Sequence, residues 1–233
     1  MSSISLWSHQ PTVEHPSKRE EIYNYLREEI VTLRRPPGSP ISDKEISAEL
    51  KISRTPVREA ILRLTDEGLV TVIPSSGTFV TKIHTQALTN AKFVRTALER
   101  AAVAAATKVA TAQDISDLRK IVNDQKKAAN SSQIDFYELD EAFHKRIFSI
   151  SGHDEAWETI LRSKAQLDRV RYLSLNNQHR LSEVIAEHSA IIDAIEKGKE
   201  SLAEEKMLNH LNSAYINVDR AIKIYQQYFA HTN

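Results

Sequence analysis

All seven prolines of this 233-residue chain lie at or before Pro74, and past that point the glycines number three: Gly77, Gly152 and Gly198. Proline removes a backbone donor and collides with the preceding helical turn, and glycine loses more chain entropy on ordering than any other residue. The C-terminal two-thirds therefore contains almost nothing that stops a helix, while the N-terminal third is punctuated by turns. The pattern predicts a mainly α protein, with a compact turn-rich domain followed by an all-helical one. No internal repeat or low-complexity tract interrupts that division.

In the N-terminal part, residues 1–16 read as a mobile arm. Ser17 and Glu20 have capping-box spacing and open a first helix whose buried face is Ile22, Leu26, Ile30 and Leu33; Pro36-Pro37-Gly38 ends it. Ser42 and Glu45 repeat the box before a short helix with Ile46 and Leu50 inward. The tight connection Lys51-Ile52-Ser53 leads to a third helix, where Pro56 suits the first turn and Val57, Ala60, Ile61 and Leu64 form one apolar stripe. Gly68 stops that helix. Two extended pieces follow, Val70–Ile73 and Thr78–Thr81, joined by Pro74-Ser75-Ser76-Gly77. Three helices and a hairpin predict a winged helix-turn-helix over residues 17–82.

After a linker at 82–86, apolar periodicity predicts helical segments at about 86–109, 113–129, 134–151, 154–175, 179–197 and 199–229. Gly152 and Gly198 fall where helix C-termini take the left-handed conformation. These lengths and short connections predict a six-helix antiparallel bundle within residues 83–233.

Arg54 and Arg58 lie one turn apart on the third helix, beside its apolar stripe. Two readings stand: an amphipathic surface helix with solvated arginines, or a recognition helix whose arginines fork onto guanine in a major groove. Bulk charge does not choose between them. The whole chain has zero formal net charge, and its first 82 residues carry eleven Lys plus Arg against eleven Asp plus Glu. Local placement leans toward DNA, because Lys51, Arg54, Arg58 and Arg63 face only Glu59 and Asp66. The absence of cysteine excludes disulfides and thiolate metal sites. No apolar run has membrane-spanning length and the start lacks a signal-peptide pattern, so a soluble cytoplasmic protein is expected.

The runs PPGSPISDKEISAEL, ISRTPVREAILRLTDEGLV and PSSGTFV resemble the DNA-binding domain of the GntR family of bacterial regulators, over residues 18–81. The resemblance implies DNA contacts from Lys44, Arg54, Arg58 and Gly77, and a homodimer on a palindromic operator. Gly77 suits close backbone approach to a phosphate or groove. Lys44 is equally an ordinary solvated lysine.

In the bundle, DFYELDEAFHKRIFSI places Asp140 and His144 four residues apart, beside a stripe of Phe136, Leu139, Phe143, Ile147 and Ile150. That spacing serves a shared metal ion or a surface salt bridge. His188 stands at the centre of the stripe Leu181, Val184, Ile185, Ile191, Ile192 and Ile195, and His210 stands among Ala203, Met207, Ala214, Val218, Ala221 and Tyr225. A buried imidazole needs partners for both nitrogens, so each is a satisfied core histidine or a ligand. One carboxylate and three imidazoles on three helices fit a single buried divalent metal, Zn first, with Ni, Mn or Fe also suited to such donors.

LDEAFH, AEHSAIIDAI and MLNHL are similar to the metal-binding version of the FCD effector domain that accompanies GntR-type winged helices, in its six-helix VanR-like branch. The resemblance implies that Asp140, His144, His188 and His210 hold one divalent metal, and it disfavours acyl-CoA effectors. Arg95 shares a face with Leu88, Ala91, Ala102 and Ala106; it either meets an effector anion or pairs with Glu99 one turn on. Arg171 projects with Trp157, Leu161 and Leu175, toward the pocket or a dimer interface, and Asn217 lies two turns beyond His210 on the same face. Arg95, Arg171 and Asn217 are the expected effector-binding residues.

The function expected from these residues is a ligand-responsive transcriptional regulator that is not an enzyme. Its winged helix binds operator DNA and its bundle holds a metal and a small carboxylate metabolite, such as a sugar acid or hydroxy acid. The alternatives are a metal-dependent hydrolase or a metal sensor tethered to a DNA-binding domain. No general base stands evident beside the ligands, which weighs against turnover.

Overall fold

The computed structural model describes residues 17–174 and 178–230, leaving aside the side chains of residues 174, 178 and 217–219; the predicted arm at 1–16 lies outside the described residues. The N-terminal domain comprises α1 (Lys18–Val31), α2 (Asp43–Leu50), α3 (Arg54–Asp66), β1 (Val70–Ile73) and β2 (Gly77–Val80). The Ser17 and Ser42 hydroxyls accept the backbone N–H groups of Glu20 and Glu45 at 3.3 and 3.2 Å, the serine half of the capping boxes their spacing predicts. Ser53 occupies the N-cap of α3 without a side-chain cap bond. Ile22, Leu26 and Ile30 meet Ile46, Val57, Ala60, Ile61 and Leu64 in one core. The strands pair antiparallel with Val70 opposite Val80 and Ile73 opposite Gly77, which makes the wing.

Leu33 departs from expectation. α1 ends at Val31, before the Pro36-Pro37-Gly38 turn, because Leu33 takes a left-handed φ of 61° and the Arg35 N–H returns to the Glu29 carbonyl at 2.8 Å. Lys51, between α2 and α3, is also left-handed at φ 54°. A β-carbon in that region costs about 1–2 kcal/mol, and glycine's greater unfolded-state entropy returns part of any gain. Lys51→Gly is therefore expected to raise stability by about 0.5–1 kcal/mol in urea unfolding.

The C-terminal domain contains α4 (Thr85–Val109), α5 (Ala112–Ala128), α6 (Gln133–Ile150), α7 (Asp154–Ser163), α8 (Ala165–Ser174), α9 (Gln178–Glu196) and α10 (Glu200–Ile224). It is all-helical as expected, but the described residues form seven helices rather than six. The single helix predicted over 154–175 divides at Lys164. That lysine is fully buried, and its ammonium donates to Asp168 at 2.7 Å and pairs with Glu141. No glycine or proline marks the break. α10 also ends earlier than predicted, followed by a 3-10 turn at Gln226–Tyr228. Phe229 then bridges Ile83, with the Ile83 N–H on the Tyr228 carbonyl and the Ala230 N–H on the Ile83 carbonyl, both at 2.9 Å, so the chain end pins the linker. No helix among the described residues is long and apolar enough to cross a membrane.

The break at Lys164 turns α8 onto the winged helix. Ala165 joins the N-terminal core. The Gln166 side-chain amide donates to the Gly68 carbonyl at 2.5 Å, and the Arg169 guanidinium donates to the Thr81 carbonyl at 2.7 Å. Asp168, with no exposed surface, accepts from Arg27 of α1 at 2.9 Å. A second apolar contact between the domains packs Val31 with Phe136, Tyr137, Leu181 and Val184.

Candidate metal centre and nucleic-acid interface

Asp140 and His144 project from α6 one turn apart, His188 from the middle of α9 and His210 from α10. All four are buried. One ligand atom from each lies within 4.8 Å of all the others, so the expected constellation is assembled. Phe143 stacks on the His188 ring at 3.9 Å between centroids, which fixes that ring's plane.

The ring nitrogens are divided by their neighbours. On the outer side, His144 Nδ1 lies 2.5 Å from Glu99 Oε2, His210 Nδ1 lies 2.7 Å from Glu187 Oε2, and His188 Nδ1 lies 3.0 Å from Gln125 Oε1. Each of these partners is an acceptor, so the proton of each neutral imidazole belongs on Nδ1 and the lone pair on Nε2. The Nε2 atoms then converge. Those of His144 and His210 are 3.2 Å apart, and that of His188 has no hydrogen-bond partner among the described residues, being 3.6 Å from Asp140 Oδ1. Lone pairs held that close repel unless a cation lies among them. The donor set therefore fits a divalent metal of the Zn, Ni, Mn or Fe type.

Electrostatics favours the neutral form of His188 and His210. Burial pushes the His188 imidazole well below its ordinary pKa, and neighbouring His210 and His144 push it the same way. Burial also lowers His210, against the opposing pull of Glu187. Burial pushes Glu99 upward, but Arg95 and His144 outweigh it and hold that carboxyl well below the usual range. Glu187 is brought to about 2 because hydrogen bonds with His210 and Arg180 overcome its burial.

Of the two readings of Arg95, the structure shows the ion pair one turn on. Arg95 is buried and pairs with Glu99, yet its Nη2 has no hydrogen-bond partner among the described residues. Arg171 is buried within the domain, between Asp140, Glu141 and Asp168. Its grip on Asp140 orients the carboxylate and leaves Oδ1 toward His188. The side chain of Asn217 lies outside the described residues. Sequence reasoning missed Gln125 and Glu187. Gln125 had a signal, since it continues the α5 stripe of Ile115, Leu118 and Val122 as the one polar member. Glu187 had none beyond its place next to His188.

On the opposite domain, Lys44, Arg54 and Arg58 are exposed. The two arginines converge on Asp43, the first residue of α2. Gly77 is exposed at the wing with φ 128°, and a β-carbon there would meet only the Phe79 ring at an ordinary 3.6 Å. Its conformation, not crowding within the protein, requires glycine.

Comparison with known proteins bears on both domains. Residues 18–80 match the family described as bacterial regulatory proteins, gntR family, and residues 93–213 match the FCD domain. An HTH-type transcriptional regulator of Streptomyces ambofaciens is 34% identical over 88% of this chain and 86% of its own. The HTH-type transcriptional repressor RspR of Escherichia coli is 35% identical over 82% and 85%. The solved structure of E. coli McbR/YncC superposes with a TM-score of 0.78 over 92% of this chain and all of that one, at 22% identity, which speaks to the fold alone. With a gntR match on the winged helix, an FCD match on the bundle and relatives similar over most of their length, the chain belongs to the GntR family of bacterial regulators, in the group that carries an FCD domain.

Proposed function

We propose that the protein is a ligand-responsive transcriptional regulator that binds operator DNA as a homodimer and holds one divalent metal through Asp140, His144, His188 and His210. The observation that carries the metal assignment is the convergence of three imidazole Nε2 atoms on one carboxylate, each Nδ1 facing an acceptor. The metal would supply positive charge for an anionic ligand. Arg95 Nη2, buried beside it, supports a small carboxylate such as a hydroxy acid or sugar acid, because a charge-assisted hydrogen bond is stronger than a neutral one. Self-association is supported by Phe93, 76% exposed on the outer face of α4 near Ala97 and Ala101. RspR is named a repressor, and repression is the sign we propose here.

Calorimetry with carboxylates, sugars and amines on metal-loaded, metal-free and Arg95→Ala protein tests the effector. Carboxylates should bind the loaded protein and lose affinity in the other two. Best binding by a neutral ligand would remove the assignment. For DNA, Arg54→Ala or Arg58→Ala is expected to cost about 1–3 kcal/mol on a specific site and much less on random duplex. Equal losses on both would mean phosphate contact only.

The domain interface offers a route for the signal. Arg171 holds Asp140 and lies 3.4 Å from Asp168, which in turn holds Arg27 of α1. Where metal and DNA binding are coupled through this network, linkage is reciprocal, and a change on the DNA-binding side of this chain is felt by the metal. Arg27→Met, which touches no proposed ligand, is expected to shift metal affinity by about fivefold or more. An unchanged metal titration would show that the network is structural only.

A further inference from the structure

Asp43 is the first residue of α2, directly after the capping Ser42, so its carboxylate is anchored where a helix N-terminus favours negative charge. From there it reaches across the turn to α3. Its Oδ1 accepts from Arg54 Nη2 at 2.7 Å, and its Oδ2 accepts from Arg54 Nη2 and Nε at 2.9 and 3.2 Å and from Arg58 Nε at 2.5 Å. The Asp43 side chain is 20% exposed, against 51% for Arg54 and 63% for Arg58. The carboxylate is therefore the more enclosed partner, and the two guanidinium groups that grip it are the more exposed. Hydrogen bonds from Arg54, then Arg58, lower its pKa to about 2, so it is ionised whenever the protein is folded near neutrality.

A guanidinium has five donors in a fixed fork. Arg54 gives Asp43 its Nε–Nη2 edge and Arg58 gives only Nε, which leaves N–H groups on both that Asp43 does not engage and that suit a guanine edge. On a matched site both arginines can keep Asp43 behind them and bind bases in front. On random DNA the same side chains must swing to phosphates, and the carboxylate then repels the backbone it faces.

We infer that Asp43 is a positioning residue for DNA specificity: one carboxylate that sets Arg54 and Arg58 for base readout and penalises their use on phosphate alone. The inference rests on the reading of α3 as the base-contacting helix. It predicts a loss on the matched site without a loss on random duplex, which neither a folding role nor a general charge effect would produce.

The experiment measures binding of wild type, Asp43→Asn, Asp43→Ala, Glu45→Gln and an Arg54→Ala, Arg58→Ala double variant. The probes are a duplex selected by the wild type from a random-sequence pool and an unselected duplex of equal length, across a salt series. Thermal unfolding checks that each variant is folded. Both Asp43 variants are expected to bind the selected duplex about tenfold more weakly, and the unselected duplex with unchanged or up to about threefold tighter affinity. Glu45→Gln removes one exposed charge from the same turn and should move both DNAs alike. Parallel losses in the Asp43 variants would assign the carboxylate to folding, and parallel gains would assign it to bulk charge; either overturns the inference. Wild-type behaviour of the double arginine variant, or failure of the wild type to select any duplex, would instead overturn the reading of α3, and the inference with it.

Discussion

A His188→Ala, His210→Ala double variant is expected to purify without metal, and the parent chain is expected to retain one divalent ion. Even a residue that only orients a metal ligand is worth about 10–100-fold in affinity, and this change removes two ligands outright. The loss extends to stability, because an ion bound at about a thousand times its dissociation constant stabilises the folded state by about 4 kcal/mol. Adding Zn, Ni or Mn should raise the melting temperature of the parent and leave the double variant unmoved. Gln125 and Glu187 lose their imidazole partners in that variant, so its metal-free melting point should also fall below that of the metal-free parent. Elemental analysis of gently purified protein gives the direct answer, and full occupancy in the double variant would sink the ligand set.

Asp168→Asn should be nearly as damaging without touching a proposed ligand. Asp168 has no exposed surface and faces three cations, Lys164, Arg27 and Arg171. Asparagine keeps the shape but removes the charge, leaving buried cations with too few anions. Breaking a buried pair on one side costs about 3–5 kcal/mol, far more than the pair itself contributes over an apolar replacement. Urea unfolding should show this loss. Asp193→Asn provides the contrast, since its pair with Arg119 is half-exposed and worth less than about 1 kcal/mol. A loss below about 1 kcal/mol for Asp168→Asn would mean that water or a rearrangement satisfies the three cations.

The helical periodicity made His188 legible as an inward residue, because an imidazole in the middle of an isoleucine-rich stripe has no surface to reach. Spacing made Asp140 and His144 legible as a pair. That all four groups could share one site followed from their inward facing on three helices, and the family resemblance pointed to the same four, but periodicity gives the facing of each helix and not the mutual register of α6, α9 and α10. Lys164 shows the limit from the other side. Nothing in its neighbourhood breaks a helix locally; the break comes with carboxylates at positions 141 and 168 that the buried ammonium reaches only in the folded chain. Leu33 failed for a related reason, because its periodic position implied a continuing helix while the backbone had already turned. Asp43 was only one of the eleven acidic residues counted in the first 82, and its contact with two arginines of α3 needs the geometry of the turn at Lys51.

The placement of Ala165, Gln166 and Arg169 against the winged helix has a consequence for engineering. A winged helix cut out at residue 82 would leave a socket in its hydrophobic core where Ala165 sits and strip partners from the Gly68 and Thr81 carbonyls. Domain grafts that treat the first 82 residues as a self-contained cassette should therefore give poorly soluble chimaeras. Grafts that carry α8 along, or that rebuild its contact surface on the new effector module, should fold.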